Sequence, residues 1–337
     1  MRAPVPGAGV DWLVADTLAS YLSVATILLP GTLDGVPRMP DGVHAVTYDV
    51  AGPPPAAAAE ADAVVVWGNP DDRLRELAAA TPRVRWVQTL MAGADAVLAA
   101  GFSPQAVVTN GRGLHDATVS EHVLALTLAC LRRLPDMLRA QHGHRWAAEL
   151  GGEQPLHPPG EVRTLVDAHV TVWGFGSIAA HLAPILTALG AHVTGVARSR
   201  GTRHGFPVVT ADDLPEVLPR TDVLVLLLPS TPSTHHAVDA RALGLLPPRA
   251  WGVNAGRGST LDQDALLAAL RAGRIAGAAL DVVDPQPLPA SSPLWDAPNV
   301  LVSPHAAGGR PVGWQDLLVD NVMRFVAGEP LRNVVER

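Results

Sequence analysis

The sequence predicts an α/β protein built from two parallel-sheet domains. Three observations carry this. The 337 residues exceed what one compact core ordinarily holds. Short apolar runs alternate with helical spacing through most of the chain, the pattern of parallel layers. That alternation stops once, at about residues 118–160, and then begins again.

In the first alternation, strands are expected at 26–30, 45–48, 63–67, 86–90 and 106–109, with helices at 71–80 and 94–100. The Pro/Ala run 52–59 reads as a surface loop. Residues 1–25 fit no element. From Thr118 the apolar positions Val119, Val123, Leu126, Leu131, Leu134 and Leu138 recur at helical spacing to about Gln141. Pro135 falls inside, so a break is expected there. A Gly/Pro-rich loop at 151–160 follows. The second alternation places strands at 169–173, 192–197, 222–228, 251–254, 276–282 and 300–303. Helices are expected at 177–189, 214–218, 243–246 and 262–272, with a last one at 312–326.

Composition excludes several classes. Hydrophobic residues make up 48% and charged residues 17%, which suits a folded globular chain and not a disordered one. All 25 basic residues are arginine, so no lysine Schiff base or P-loop lysine is available. A formal charge of −7 argues against nucleic acid as a partner. No apolar stretch is long enough for a membrane span, and residues 1–14 lack the apolar run of a leader, so a cytoplasmic location is expected. Cys130 is the single cysteine and sits in an apolar run, where it reads as a buried structural thiol. The pair His142/His144 has no carboxylate or cysteine at ligand spacing, so no zinc site is expected. His115, His122, His235 and His236 read as ordinary.

The most informative segment is Val170–Trp173 running into Gly174–Phe175–Gly176–Ser177–Ile178–Ala179. A strand, then G-x-G-x-x-A, then a helix is the context of a dinucleotide-binding turn. The first glycine permits the turn and the second lets backbone approach a pyrophosphate. The small third residue lets helix and strand pack, and the helix start presents amides. The next strand ends Ala197–Arg198–Ser199–Arg200, with no acid to take a ribose hydroxyl. Guanidinium groups there favour a 2′-phosphate, so NADP is the expected cofactor, with NAD possible. A solvated basic loop is the plainer alternative.

Three further segments each follow an expected strand: Asn254–Ala255–Gly256–Arg257, then Asp281–Val282–Val283–Asp284–Pro285–Gln286–Pro287, then Ser303–Pro304–His305. Sites in such sheets lie beyond the strand carboxyl ends, so Arg257, Gln286 and His305 are expected to converge.

With these motifs in this order, the sequence resembles the D-isomer-specific 2-hydroxyacid dehydrogenases, which include glyoxylate/hydroxypyruvate reductases and formate dehydrogenases. The resemblance implies two Rossmann-like domains, one flavodoxin-like and one NAD(P)-binding, with a cleft between them. It places the nucleotide domain at 117–306 and a discontinuous substrate domain at 1–116 plus 307–337. It implies reduction of a small 2-oxo acid to the D-2-hydroxy acid. Arg257 would polarise the substrate, His305 would act as acid and base, and Gln286 would partner the histidine. The loop Met91–Ala92–Gly93 would take the substrate carboxylate. Asp281 would contact the nicotinamide. The remaining cofactor contacts expected are Leu228, Pro229, Thr234, Asn254, Ala255 and Gly308, beside Gly174–Ile178, Arg198 and Ser199. A homodimer through the nucleotide domains is implied, with the helix from Thr118 and the segment around Trp146 in contact.

One departure stands out. Most of the family carries glutamate where this chain has Gln286, and a neutral amide cannot supply the anion that raises a histidine pKa. Formate dehydrogenases do pair Gln with His, although their asparagine segment has no clear counterpart in Gly113–Leu114–His115–Asp116. Asp284 is a candidate source of the missing charge. A dinucleotide-sensing protein with little turnover stays open as a rival, since the fold does not guarantee catalysis.

Overall fold

The computed structural model describes residues 25–336. Of the unassigned residues 1–25, all but Ala25, which begins the first strand, lie outside the described residues. The chain divides into two compact units, one running to Gly111 and resuming at Gly313, the other spanning Arg112–Val312. The sequence reading put the crossings at 116/117 and 306/307. Both shift outward because the chain ends of the larger unit bond to each other and to its interior. The Val312 amide donates to the Leu114 carbonyl at 2.8 Å, and the Ser177 hydroxyl donates to Asp116 at 2.9 Å.

The smaller unit is built on five strands: β1 (Ala25–Pro30), β2 (Val43–Tyr48), β3 (Ala63–Val66), β4 (Trp86–Thr89) and β5 (Val107–Thr109). They pair in parallel in the order β2-β1-β3-β4-β5, the flavodoxin-like order. Every residue of β3 and β4 is buried, as strands covered on both faces must be. Helices α1 (Asp71–Ala80) and α2 (Asp95–Ala99) lie between them in sequence. The chain's last helix, Trp314–Ala327, returns to this unit. It packs Phe325 against Trp86, with ring centroids 5.4 Å apart. Its fully buried Asn321 donates to Gln88 Oε1 at 2.9 Å and to the Arg332 carbonyl at 3.2 Å. It also accepts from the Arg332 amide at 2.7 Å.

The larger unit opens with α3 (Asp116–Leu131) and α4 (Leu134–His142). The single helix read from 118–141 is thus two. The break falls at Arg132–Arg133, with Arg133 left-handed at φ 56°, and Pro135 sits in the first turn of the new helix, where its missing N–H is harmless. The strands are β6 (His169–Trp173), β7 (His192–Val196), β8 (Gly201–Arg203), β9 (Phe206–Val209), β10 (Val223–Leu226), β11 (Trp251–Asn254), β12 (Gly277–Leu280) and β13 (Val300–Val302). Their order is β13-β12-β11-β10-β6-β7-β9-β8. Every pairing is parallel except β8 with β9. Strand order reverses beside β6, which makes the switch point at which such sheets bind ligands. Helix α5 (Ser177–Ala188) follows β6 directly.

The β8–β9 hairpin is absent from the sequence reading, which assigns no element between the strand 192–197 and the helix 214–218. Its turn is His204–Gly205, both at positive φ (52° and 85°), the conformation two-residue hairpins require. The apolar stretches flanking it are too short to show an alternation. Among the described residues no helix is long and apolar enough to cross a membrane.

The Asn321 cluster makes a stability prediction. Asn321→Leu keeps the volume but leaves the Arg332 amide and carbonyl without their buried partner. Stability should fall by about 1–3 kcal/mol. Urea unfolding reads it as a lower midpoint at similar slope. An unchanged midpoint would show that water replaces the lost contacts.

Candidate functional site

Three glycines let backbones meet at the carboxyl ends of the central strands of the larger unit, and a fourth makes room for a ring. Gly174 has φ +102°, and a Cβ there would lie 2.6 Å from the Leu227 carbonyl. A Cβ on Gly256 would lie 2.7 Å from the Leu228 carbonyl oxygen, and one on Gly258 only 2.1 Å from that of Val283. A Cβ on Gly195 would strike the Phe175 ring at 2.4 Å. The loops after β6, β10, β11 and β12 are therefore pressed together. Gly176 is different, because its Cβ position meets nothing within 4 Å. The second glycine of the turn thus faces open space, where a phosphate can come close to backbone.

Helix α5 begins at that point. Its first cap bond is Ala180 N–H to Gly176 O at 2.9 Å, so the Ser177 and Ile178 amides precede the ladder and point out of the helix start. This arrangement fits a dinucleotide pyrophosphate. Phe175, expected at the cofactor, instead buries its ring in the core opposite Gly195 and beside Phe206. Its side chain fills the room that Gly195 leaves. The Ser177 hydroxyl is engaged by Asp116.

After β7, Arg198 is exposed and its side chain has no hydrogen-bond or ion-pair partner among the described residues. Arg203 donates to the Ser199 hydroxyl at 2.7 Å and to the Phe175 carbonyl at 3.3 Å, tying the basic segment to the glycine turn. Arg200 is paired with Asp213. Leu228 is buried, and its backbone lies against Gly256. Thr234 closes its own loop by donating to the Pro229 carbonyl at 2.6 Å.

The turn after β11 is organised by Asn254, which is 1% exposed. Its side chain accepts from the Gly256 amide at 3.1 Å and donates to the Arg257 carbonyl at 3.1 Å. Asn254 thus shapes the turn through Ala255 that presents Arg257, instead of facing a ligand. The half-buried Arg257 guanidinium donates to its neighbour's carbonyl, Gly256 O, at 2.9 Å.

His305 sits at φ 54°, a left-handed conformation that a non-glycine residue holds only where its surroundings enforce it. Its amide donates to the Asp281 carbonyl at 2.8 Å and to the Ser303 carbonyl at 3.0 Å. The Asp281 carboxylate takes the next two amides, Ala306 at 2.8 Å and Ala307 at 3.1 Å, and the Ser303 hydroxyl at 2.7 Å. The Asp281 side chain is wholly buried. The resemblance implied an outward contact for Asp281, but the structure gives it the inward task of building the turn that ends near Gly308. His122, read as ordinary, joins this group from α3. Its Nε2 is 2.9 Å from Ser303 Oγ and 3.1 Å from Asp281 Oδ1. Helical spacing alone offered no signal of a partner so far along the chain.

Gln286 does reach His305: its amide nitrogen is 2.8 Å from Nδ1. Burial pushes the His305 pKa below its ordinary value, the Arg257 cation pushes it the same way, and the Asp281 anion opposes them. The sequence reading named Asp284 as the candidate neighbouring acid, but the anion acting here is Asp281. Burial drives the Cys130 thiol up to about 12, which leaves it inert.

In the smaller unit, the loop after β4 presents Met91, Ala92 and Gly93, all half-buried. The Met91 amide is engaged by Thr89 Oγ1 at 3.1 Å. The Asn110 side chain holds the Ala92 carbonyl at 2.9 Å, and the Gly111 amide holds that of Met91 at 2.7 Å. The carbonyls are thus turned inward, and the Ala92 and Gly93 amides donate to nothing among the described residues. Two adjacent amides of this kind suit a carboxylate.

Comparison with known proteins agrees with this geometry. The family model for the NAD binding domain of D-isomer specific 2-hydroxyacid dehydrogenases matches residues 124–307. A glycerate dehydrogenase of Methylorubrum extorquens is 32% identical over 271 residues, covering 79% of this chain and 82% of its own. A D-isomer specific 2-hydroxyacid dehydrogenase of Xanthobacter autotrophicus, solved with NADPH and MES, is 30% identical with a TM-score of 0.74. The match covers 93% of this chain and 98% of that one. An NADPH-dependent glyoxylate/hydroxypyruvate reductase of Sinorhizobium meliloti, solved with NADP and sulfate, is 28% identical with a TM-score of 0.76 and the same coverage.

The His305 environment makes a titration prediction. Its depressed pKa means the imidazolium is lost at a pH below the ordinary value of about 6.5. Gln286→Glu places an anion against Nδ1 and should raise that pKa by about one unit or more. Imidazole NMR across pH reads the shift directly. Superimposable titrations would mean the new carboxylate turns away into solvent.

Proposed function

The chain belongs to the D-isomer specific 2-hydroxyacid dehydrogenase family of oxidoreductases, and from that premise we propose that it reduces a small 2-oxo acid, of the glyoxylate or hydroxypyruvate kind, to the D-2-hydroxy acid with NADPH preferred. The observation that carries this reading is the cluster beyond the carboxyl ends of the larger unit's strands. His305 is held by Gln286 and acted on by Arg257, along the strand ends that also carry the open glycine turn.

The chemistry follows from the groups. A 2-oxo acid offers a carboxylate and a ketone oxygen, and the planar fork of Arg257 suits both. Charge builds on the ketone oxygen as reduction proceeds, and the permanent guanidinium charge stabilises it. His305 supplies the proton to that oxygen and takes it back in the reverse direction. Gln286 orients the ring, since an amide can offer its oxygen to a protonated Nδ1 or its nitrogen to a bare one. The Ala92 and Gly93 amides are the proposed carboxylate donors. The dinucleotide, when bound, supplies the hydride. The Gly174–Gly176 turn with the Ser177 and Ile178 amides would hold its pyrophosphate. Arg198, Ser199 and Arg203 would hold a 2′-phosphate. Arg200 is left out because Asp213 engages it.

A homodimer is part of the same reading. Leu134 and Leu138 on α4 are 45% and 52% exposed, and Trp146 is 92% exposed. Apolar side chains gathered in one segment favour a second copy as their cover. Trp146→Arg should shift sedimentation from dimer toward monomer; a monomeric parent protein would remove the dimer from the proposal.

The function is tested with purified protein, NADPH or NADH, and a panel of 2-oxo acids. Turnover with glyoxylate or hydroxypyruvate is expected. Tight NADPH binding without turnover would favour a sensing role, and formate-driven reduction of the oxidised cofactor would favour a formate dehydrogenase. The same assay tests cofactor choice. Arg198→Ala should weaken NADPH binding by about 1.5–3 kcal/mol, the range of a charge-assisted contact, and leave NADH nearly unchanged. Equal losses for both would place the phosphate elsewhere.

A further inference from the structure

His122 comes from α3, far in sequence from Asp281, Ser303 and His305, and meets two groups beneath the turn that carries His305. Donor accounting fixes how it does so. The Ser303 hydroxyl has one proton and donates it to Asp281 Oδ1 at 2.7 Å. Asp281, when ionised, only accepts. The His122 Nε2, at 2.9 Å from Ser303 Oγ and 3.1 Å from Asp281 Oδ1, must therefore carry a proton and share it between the two. Asp281 thus receives His122, Ser303 and the Ala306 and Ala307 amides, while its own carbonyl receives the His305 amide.

We propose that His122 is a positioning residue for the reaction: with Ser303 it completes the hydrogen bonding of Asp281, fixes the left-handed turn that aims His305, and moderates the negative charge Asp281 presents to that ring. This rests on the reading of His305 as the acid and base. Among the described residues, the charged groups acting on His305 are Arg257 and Asp281, and neutral Gln286 contacts its ring. His122 faces Asp281 and Ser303. On its own helix, Asp116 is engaged with Ser177, and Glu121 is exposed.

A donor to Asp281 draws charge away from His305. Its removal leaves more negative potential at the ring, which raises the His305 pKa. A merely structural contact would not move the titration in a set direction. Two substitutions separate the roles. His122→Leu removes the donor, whereas His122→Gln carries an amide N–H at similar reach.

For His122→Leu, His305 followed by imidazole NMR in the cofactor-free protein should titrate about half a unit or more higher than in the parent. Turnover with NADPH and glyoxylate should fall about tenfold or more, the scale of a misaimed group, with NADPH binding within about twofold of the parent. His122→Gln should return both measurements most of the way. Should His122→Leu fail to fold, Ser303→Ala removes the same junction from the other side and should shift the titration in the same direction. An unmoved titration in both Leu and Ala variants overturns the proposal. So does a loss of turnover that His122→Gln does not relieve. His305→Gln keeps the two readings apart. If it is inactive while His122→Leu behaves as the parent, only the role of His122 fails. If His305→Gln turns over normally, the assignment of His305 fails and the role of His122 falls with it.

Discussion

A carboxylate removed from water has to be matched by donors, or its burial destabilises the fold by several kcal/mol. Asp281 is matched four times, by two backbone amides, a hydroxyl and an imidazole. Those donors lie on the turn after β13 and on α3, and Asp281 itself directly follows β12. One buried anion therefore joins three elements of the larger unit, and the left-handed conformation of His305 depends on the joint. Among the described residues this anion is the group that acts to raise the pKa of that histidine, so structural and electrostatic demands meet in one side chain.

Close backbone approach is the second constraint. Gly174 and Gly256 press from either side on the backbone of Leu227 and Leu228, and Gly258 presses on Val283. Any side chain at these three positions would separate the loops that follow β6, β10, β11 and β12. Packing of this kind explains why the motifs carry glycine where no ligand contact requires it. Gly176 differs from these three in having open space at its Cβ position. The turn combines one glycine demanded by the protein and one available to a ligand.

The electrostatics of the site lean toward a weakly basic histidine. Arg257 cannot lose its charge, burial disfavours a second cation nearby, and Gln286 adds none of the opposition a carboxylate would. Asp281 opposes from beneath the turn, with part of its charge drawn off by its donors. The balance is set by how Arg257, Gln286 and Asp281 share the space around one ring.

The parallel architecture was legible from the sequence because period and punctuation are local properties. Apart from β8 and β9, the strands of both sheets sit within a few residues of their expected places, and the glycine turn stands where strand, turn and helix follow in order. The Gln286–His305 pair was legible too, through spacing that resembles a family. What the sequence did not show depends on distant residues. The β8–β9 hairpin is too short to display a period. The ring of Phe175 turns inward only because Gly195, on the neighbouring strand, leaves it room. Asn254 and Asp281 looked like ligand contacts, but each satisfies backbone donors within its own loops. His122 looked ordinary because its partners lie some 160–180 residues away. Local spacing determined which elements form and which motifs end them. Only the packed structure decided which polar atoms those motifs use on each other and which they leave for a ligand, because hydrogen-bond partners are chosen by distance in space.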